Sequence, residues 1–142
     1  MPRVNTYLNF QGQTEEALTF YATIFGTEIT MLSRFSDMPA AAPHLTDDER
    51  DFVLHAELPI LADPLLMATD MLRSLGHETR IGNNTTICLD VDSKEEGDRL
   101  YASLSDGGSE GSPMADMPWG AYWGAILDRY GIRWMVNYSP AS

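Results

Sequence analysis

The stretch "LNFQGQTEEALTFYATI" (8–24) is answered late in the chain by "LDVDSKEEGDRLYASL" (89–104). With one gap the two align, setting Glu15-Glu16 on Glu95-Glu96 and Tyr21-Ala22 on Tyr101-Ala102. Each opens with strand-like alternation, breaks, and continues with helical spacing. In the first copy Val4, Thr6, Leu8 and Phe10 share one face, and Asn5, Tyr7 and Asn9 share the other. Ala17, Phe20, Tyr21 and Ile24 then form a helical stripe over 14–26. Thr14 is the expected N-cap, acids fill the first turn, and Gly26 is the expected C-cap. The second helix reads as 93–108, with Ser93 as N-cap and a glycine-rich stop.

The segments after each strand–helix pair match as well. "EITMLSRF" (28–35), "FVLHAELPI" (52–60) and "PLLMATDM" (64–71) read as three strands. A loop with two prolines (36–51) separates the first two, and a short turn at Ala62-Asp63 joins the last two. After a connector, "TTICLDVD" (85–92) begins the second round. Its last three strands fall in "GSPMADMPWG", "AYWGAILD" and "IRWMVNYS", with a hairpin turn at Arg129-Tyr130-Gly131. The order βαβββ thus occurs twice, in modules 1–72 and 83–142 with connector 73–82, within one domain. One module is too small to cover its own apolar face. The expectation is an α+β fold whose tandem modules form a curved mixed sheet around a central cleft.

The bulk figures narrow the function classes. The 142 residues carry a net charge of −12, from 21 acidic against 9 basic side chains. Such a surface repels phosphate backbones, so nucleic acid is not an expected partner, whereas a cationic ligand would be attracted. Cys88 is the single cysteine, so no internal disulfide framework exists. The N-terminal residues lack the apolar core of a signal peptide, and no run approaches the ~18 apolar residues of a membrane span. A cytoplasmic protein without a membrane partner is expected.

The tandem order, with Phe20-Tyr21 in the first helix, resembles the vicinal oxygen chelate superfamily (glyoxalase, bleomycin resistance, extradiol dioxygenase). "YLNFQGQTEEALTFYATIFG", "HAELPI", "LLMATD" and "PWGAYWGAILDRYGIRWMVNY" resemble its PhnB-like branch. One name used in that branch is a ubiquinone-biosynthesis methyltransferase. No glycine-rich turn after a strand with a following acidic residue supports a nucleotide-type cofactor here, so methyl transfer is not expected. The resemblance implies a glyoxalase-like fold, a homodimer, and in the enzymes one divalent metal held by two ligands from each module.

Carried over position by position, those ligand slots fall on Asn5, on Thr86, on Met135 and on Leu66 or Met67. Asn, Thr and apolar residues do not make a chelating set. The expectation is therefore no cofactor, and a cleft that binds a small molecule. Its expected lining is Asn5, Tyr7, His55, Glu57, Asp70, Thr86, Cys88, Trp119, Tyr122 and Met135. The alternative is a metal-dependent lyase, isomerase or dioxygenase using His55, Glu57 and Asp70 as non-standard ligands. "VLHAEL" puts His55 and Glu57 on one strand face, where they would also serve as an acid–base pair. The plainer reading is a solvent-facing or structurally bonded histidine. A third reading is an interaction protein with a vestigial cleft. Trp134 is expected to pack on the second helix, and Trp119 and Tyr122 to rim the cavity.

Overall fold

The computed structural model describes residues 2–38, 44–62 and 65–140. Residues 39–43, with both loop prolines, lie outside the described residues, as do Asp63 and Pro64 of the expected turn and strand. The chain divides into two compact units, Met1–Arg80 and Ile81–Ser142, the division falling inside the expected connector. No helix among the described residues is long and apolar enough to cross a membrane.

In the first unit β1 (Thr6–Phe10) leads into α1 (Thr14–Phe25) and then β2 (Met31–Arg34). A single helical turn, α2 (Asp47–Arg50), precedes β3 (Val53–Leu58) and β4 (Leu66–Asp70). The strands lie in the order β1-β4-β3-β2. β1 and β4 run parallel, and the other neighbours run antiparallel. The second unit repeats the plan with β5 (Ile87–Asp90), α3 (Lys94–Ser105), β6 (Ser109–Asp116), β7 (Tyr122–Leu127) and β8 (Arg133–Tyr138), in the order β5-β8-β7-β6. The α+β class and both βαβββ orders are present. The eight strands form two separate four-stranded mixed sheets instead of one.

Each sheet buries one face under its own helix. Leu8, Phe10, Ala56, Leu58, Leu66 and Ala68 are buried beneath Ala17, Leu18, Tyr21 and Ile24 of α1. Leu18 replaces Phe20 as the buried member of the helical stripe. In the second unit Leu89, Ile126, Trp134 and Val136 meet Gly97, Leu100 and Leu104 of α3. Trp134 is wholly buried, as its alternation with Met135 required. Gly26 ends α1 in the left-handed region at φ 68, where a side chain would be strained.

The N-terminus of α1 departs from the reading of Thr14 as its cap. Thr14 is the first helical residue, and the preceding Gln13 makes no side-chain cap. The cap comes from β4. Asp70 Oδ1 accepts from the backbone N–H of Gly12 (2.9 Å) and Thr14 (3.0 Å) and from Thr14 Oγ1 (2.7 Å). Its Oδ2 accepts from the Val53 backbone N–H at 2.8 Å. A carboxylate only 3% exposed therefore ties β4, β3 and the entry to α1. Asp70→Asn sets an amide N–H against one of these donors. We expect a loss of about 2–4 kcal/mol in urea unfolding.

A smaller cluster of Phe35, Leu45 and Leu72, flanked by Phe52 and Leu54, is closed by α2. Here Thr46 Oγ1 accepts from the Glu49 N–H (3.3 Å), while Glu49 accepts from the N–H of Thr46 (3.1 Å) and of Ser74 (3.2 Å). The bonds from Ser74, and then from Thr46, hold the Glu49 carboxyl below its ordinary 4.5. A carboxyl lowered by folding stabilises fully above that unfolded value and loses the contribution as pH falls through the folded one. Glu49→Gln should therefore cost stability at neutral pH. Melting curves should show its deficit shrinking as the pH drops below 4.5.

Candidate functional site

The open face of the first sheet is fixed by strand register. Tyr7 on β1 lies opposite Met67, and Asn9 opposite Thr69, on β4. Glu57 on β3 lies opposite Met67 on one side and Met31 on the other, with His55 opposite Ser33. Tyr7, His55 and Glu57 thus stand on the face turned away from α1.

Tyr7 and His55 are two strands apart, roughly 9.6 Å at the backbone given the usual spacing. They meet by reaching across β4. Tyr7 Oη is 2.9 Å from His55 Nδ1, and His55 Nε2 is 2.9 Å from Glu57 Oε2. The two rings stack, with centroids 5.6 Å apart and planes inclined by 29°. Burial raises the Tyr7 phenol above its ordinary 10.0, a hydrogen bond with Thr69 opposes this, and the charge of Glu57 adds to it. With the ring hydrogen placed on Nε2, the phenol donates to Nδ1 and Nε2 donates to Glu57, a tautomer that satisfies both contacts. Three groups form one directed chain.

The second sheet carries different chemistry at the same positions. Cys88 lies opposite Met135 as Tyr7 lies opposite Met67, and Ala125 faces Met135 as Glu57 faces Met67. Trp123 takes the place of His55, two residues before. Thr86 is exposed just ahead of β5. Cys88 is also exposed, its sulfur 3.9 Å from Asp90 Oδ1. Desolvation, then the Asp90 charge and that contact, push its thiol above 9.0.

Several expected site residues stand elsewhere. Asp70 is on the helix side, saturated by four donors, and does not join His55 and Glu57. Tyr122 is on the helix side too. Its hydroxyl donates to Asp98 of α3 at 2.6 Å, and Lys94 Nζ sits 4.9 Å from its ring centroid. Trp119 is 73% exposed in the β6–β7 turn. Leu66 is buried beneath α1, which leaves Met67 as the open-face residue of that slot. Asn5 gives its carbonyl oxygen to the Leu65 N–H at 3.2 Å. Two further residues stand on the open faces: Thr69 on β4, which the sequence reading missed, and Trp123 as the open-face aromatic of β7. The alternation in "AYWGAIL" allowed one aromatic per face, and the pairing of Gly124 with Val136 decides which.

Among the described residues, no three His, Cys, Asp or Glu side chains gather as a metal-holding set. Both ring nitrogens of His55 are engaged within the protein.

Comparison with known proteins agrees with this architecture. A glyoxylase/bleomycin resistance protein/dioxygenase domain from Frankia sp. EAN1pec superposes with a TM-score of 0.67 at 14% identity, covering 99% of this chain and 98% of that one. The fold is therefore that of the glyoxalase/bleomycin resistance/dioxygenase superfamily. Protein PA1353 from Pseudomonas aeruginosa is 32% identical with a TM-score of 0.84, over 98% of both chains. The PhnB protein from Bacillus cereus is 24% identical with a TM-score of 0.78, over 97% of this chain and 100% of that one. The family described as 3-demethylubiquinone-9 3-methyltransferase matches residues 2–137, and the chain belongs to that family, the PhnB-like branch of the superfamily.

Exposure and reactivity part company at Cys88. Its raised thiol should react with a disulfide reagent at neutral pH more slowly than a small free thiol, and Asp90→Asn should speed the reaction.

Proposed function

We propose that the chain binds a small organic molecule on the open face of its first sheet, without the divalent metal of the superfamily's enzymes. The observation that carries this reading is the Tyr7–His55–Glu57 chain. An aromatic ring with a polar tip, fixed among Met67 and Thr69, is the composition of a small-molecule site: apolar area with a few placed polar groups. The net charge of −12 favours a neutral or cationic ligand. The family's methyltransferase description does not enter this reading, because no residue on the open face argues for methyl transfer.

The metal-dependent alternative has less behind it. A metal at His55 would have to displace Tyr7 or Glu57 from the ring. Asp70, the third expected ligand, lies behind the sheet. Asn5, Thr86, Met67 and Met135 offer one weak oxygen donor per module and two thioethers, a poor match to a hard divalent cation. A homodimer belongs to the proposal on family resemblance, with light scattering as its check.

The test has two arms. Protein purified without chelators should hold far less than one equivalent of metal by plasma mass spectrometry, and chelator should leave its melting temperature unchanged. Near-stoichiometric metal that disappears in His55→Ala would overturn the reading. Small molecules that raise the melting temperature in a screen should bind about five- to tenfold more weakly to His55→Ala or Glu57→Ala, the loss of about one hydrogen bond.

A further inference from the structure

We propose that Tyr7 is a nucleophile that acts with general-base assistance, with His55 as its base and Glu57 as the group that orients the base, and that it accepts acyl groups from small activated esters or thioesters. The proposal rests on the open-face site just described and gives it a reaction.

The geometry meets the requirements of nucleophilic catalysis in order. The nucleophile's hydroxyl is within hydrogen-bond reach of a base, at 2.9 Å from His55 Nδ1. The base is held through its other nitrogen by a carboxylate, at 2.9 Å from Glu57 Oε2. With Nδ1 as the acceptor, the hydroxyl hydrogen lies along the contact to His55 and Oη keeps a lone pair for an electrophile. Tyr7 is also the accessible end of the chain. The residue is 43% exposed, while the side chains of His55 and Glu57 are 25% and 30% exposed.

The three groups hang from β1 and β3, both hydrogen-bonded to β4, so their spacing is set by sheet geometry and not by a mobile loop. Ring stacking limits the freedom of the imidazole further. Asn9 follows Tyr7 on the same face of β1.

The step balances without a cofactor. Tyr7 Oη forms a bond to the acyl carbon as its proton passes to His55 Nδ1. The carbon–oxygen or carbon–sulfur bond to the leaving group then breaks, and the proton passes from Nδ1 to the departing atom. Glu57 stabilises the transient imidazolium through Nε2. Water, deprotonated by the same nitrogen, attacks the acyl-tyrosine and returns the phenol. His55 is the catalytic base, and Glu57 is a positioning residue.

The probe is p-nitrophenyl acetate, added to the full chain at neutral pH. We expect a burst of p-nitrophenol of about one equivalent, with the acetyl group found by peptide mass mapping on Tyr7. Tyr7→Phe should abolish the burst, and His55→Gln should slow it about 100-fold. Tyr138→Phe, which removes a phenol outside the site, should leave it unchanged. Glu57→Gln should slow it about tenfold and shift the imidazole nitrogen resonances toward a mixed tautomer, at a retained melting temperature. Acetyl found on Lys94 or the N-terminal amine and not on Tyr7 would overturn the proposal. So would labelling of Tyr7 at an undiminished rate in folded His55→Gln, which would make Tyr7 merely an exposed phenol. The ester needs no preformed subsite to react, so a failed burst leaves the binding titrations above to stand or fall by themselves.

Discussion

The carboxylate of Asp70 is the constraint on which the first unit depends. A charge this deeply buried is tolerable only when its lone pairs are satisfied, and here four donors satisfy them. Those donors come from the entry to α1 and the start of β3, while Asp70 itself ends β4. One residue therefore fixes where the helix begins and how β3 sits beside β4. Because β1 pairs with β4 as far as Phe10–Asp70, the same residue helps to hold the strands that present Tyr7 and His55 on the opposite face.

The second unit solves an analogous problem with Asp128, which is 3% exposed. It accepts from Trp134 Nε1 (2.7 Å) and from the backbone N–H of Tyr130 and Ile132 at the β7–β8 turn. It is not the positional counterpart of Asp70. A buried carboxylate recurs because each small sheet has turns and helix ends that must be satisfied inside a thin core.

The buried and open faces of the two units have diverged unequally. Under the helices the repeat stays legible, with Leu8 matching Leu89 and Ile24 matching Leu104, since volume and packing restrict what fits. On the open faces Tyr7, His55 and Glu57 stand where Cys88, Trp123 and Ala125 stand in the other unit. Among the described residues each sheet's own helix packs on the other face, so packing against it does not restrict these side chains. One sheet carries a polar chain, and the other carries an aromatic ring and a thiol pushed above its ordinary range by desolvation and then by Asp90. The two units share one strand order and carry different chemistry on their open faces.

Sequence by itself determined the repeat, the α+β class, the order of elements and the buried faces of β1 and β3, because periods of 2 and 3.6 are written directly in apolar spacing. It placed His55 beside Glu57, two residues apart on one strand. It could not place Tyr7 against His55, since a contact across an intervening strand depends on the order β1-β4-β3, which no local pattern encodes. For the same reason Asp70 looked like a partner for His55. Its parity along β4 was readable, but the donors waiting behind the sheet, 17 and more residues away in sequence, were not. Tyr122 and Trp123 were likewise indistinguishable until pairing with β8 assigned each a face. Tertiary structure decided which polar groups are consumed in holding the fold and which stand together on the open sheet, because hydrogen-bond partners are chosen by proximity in space.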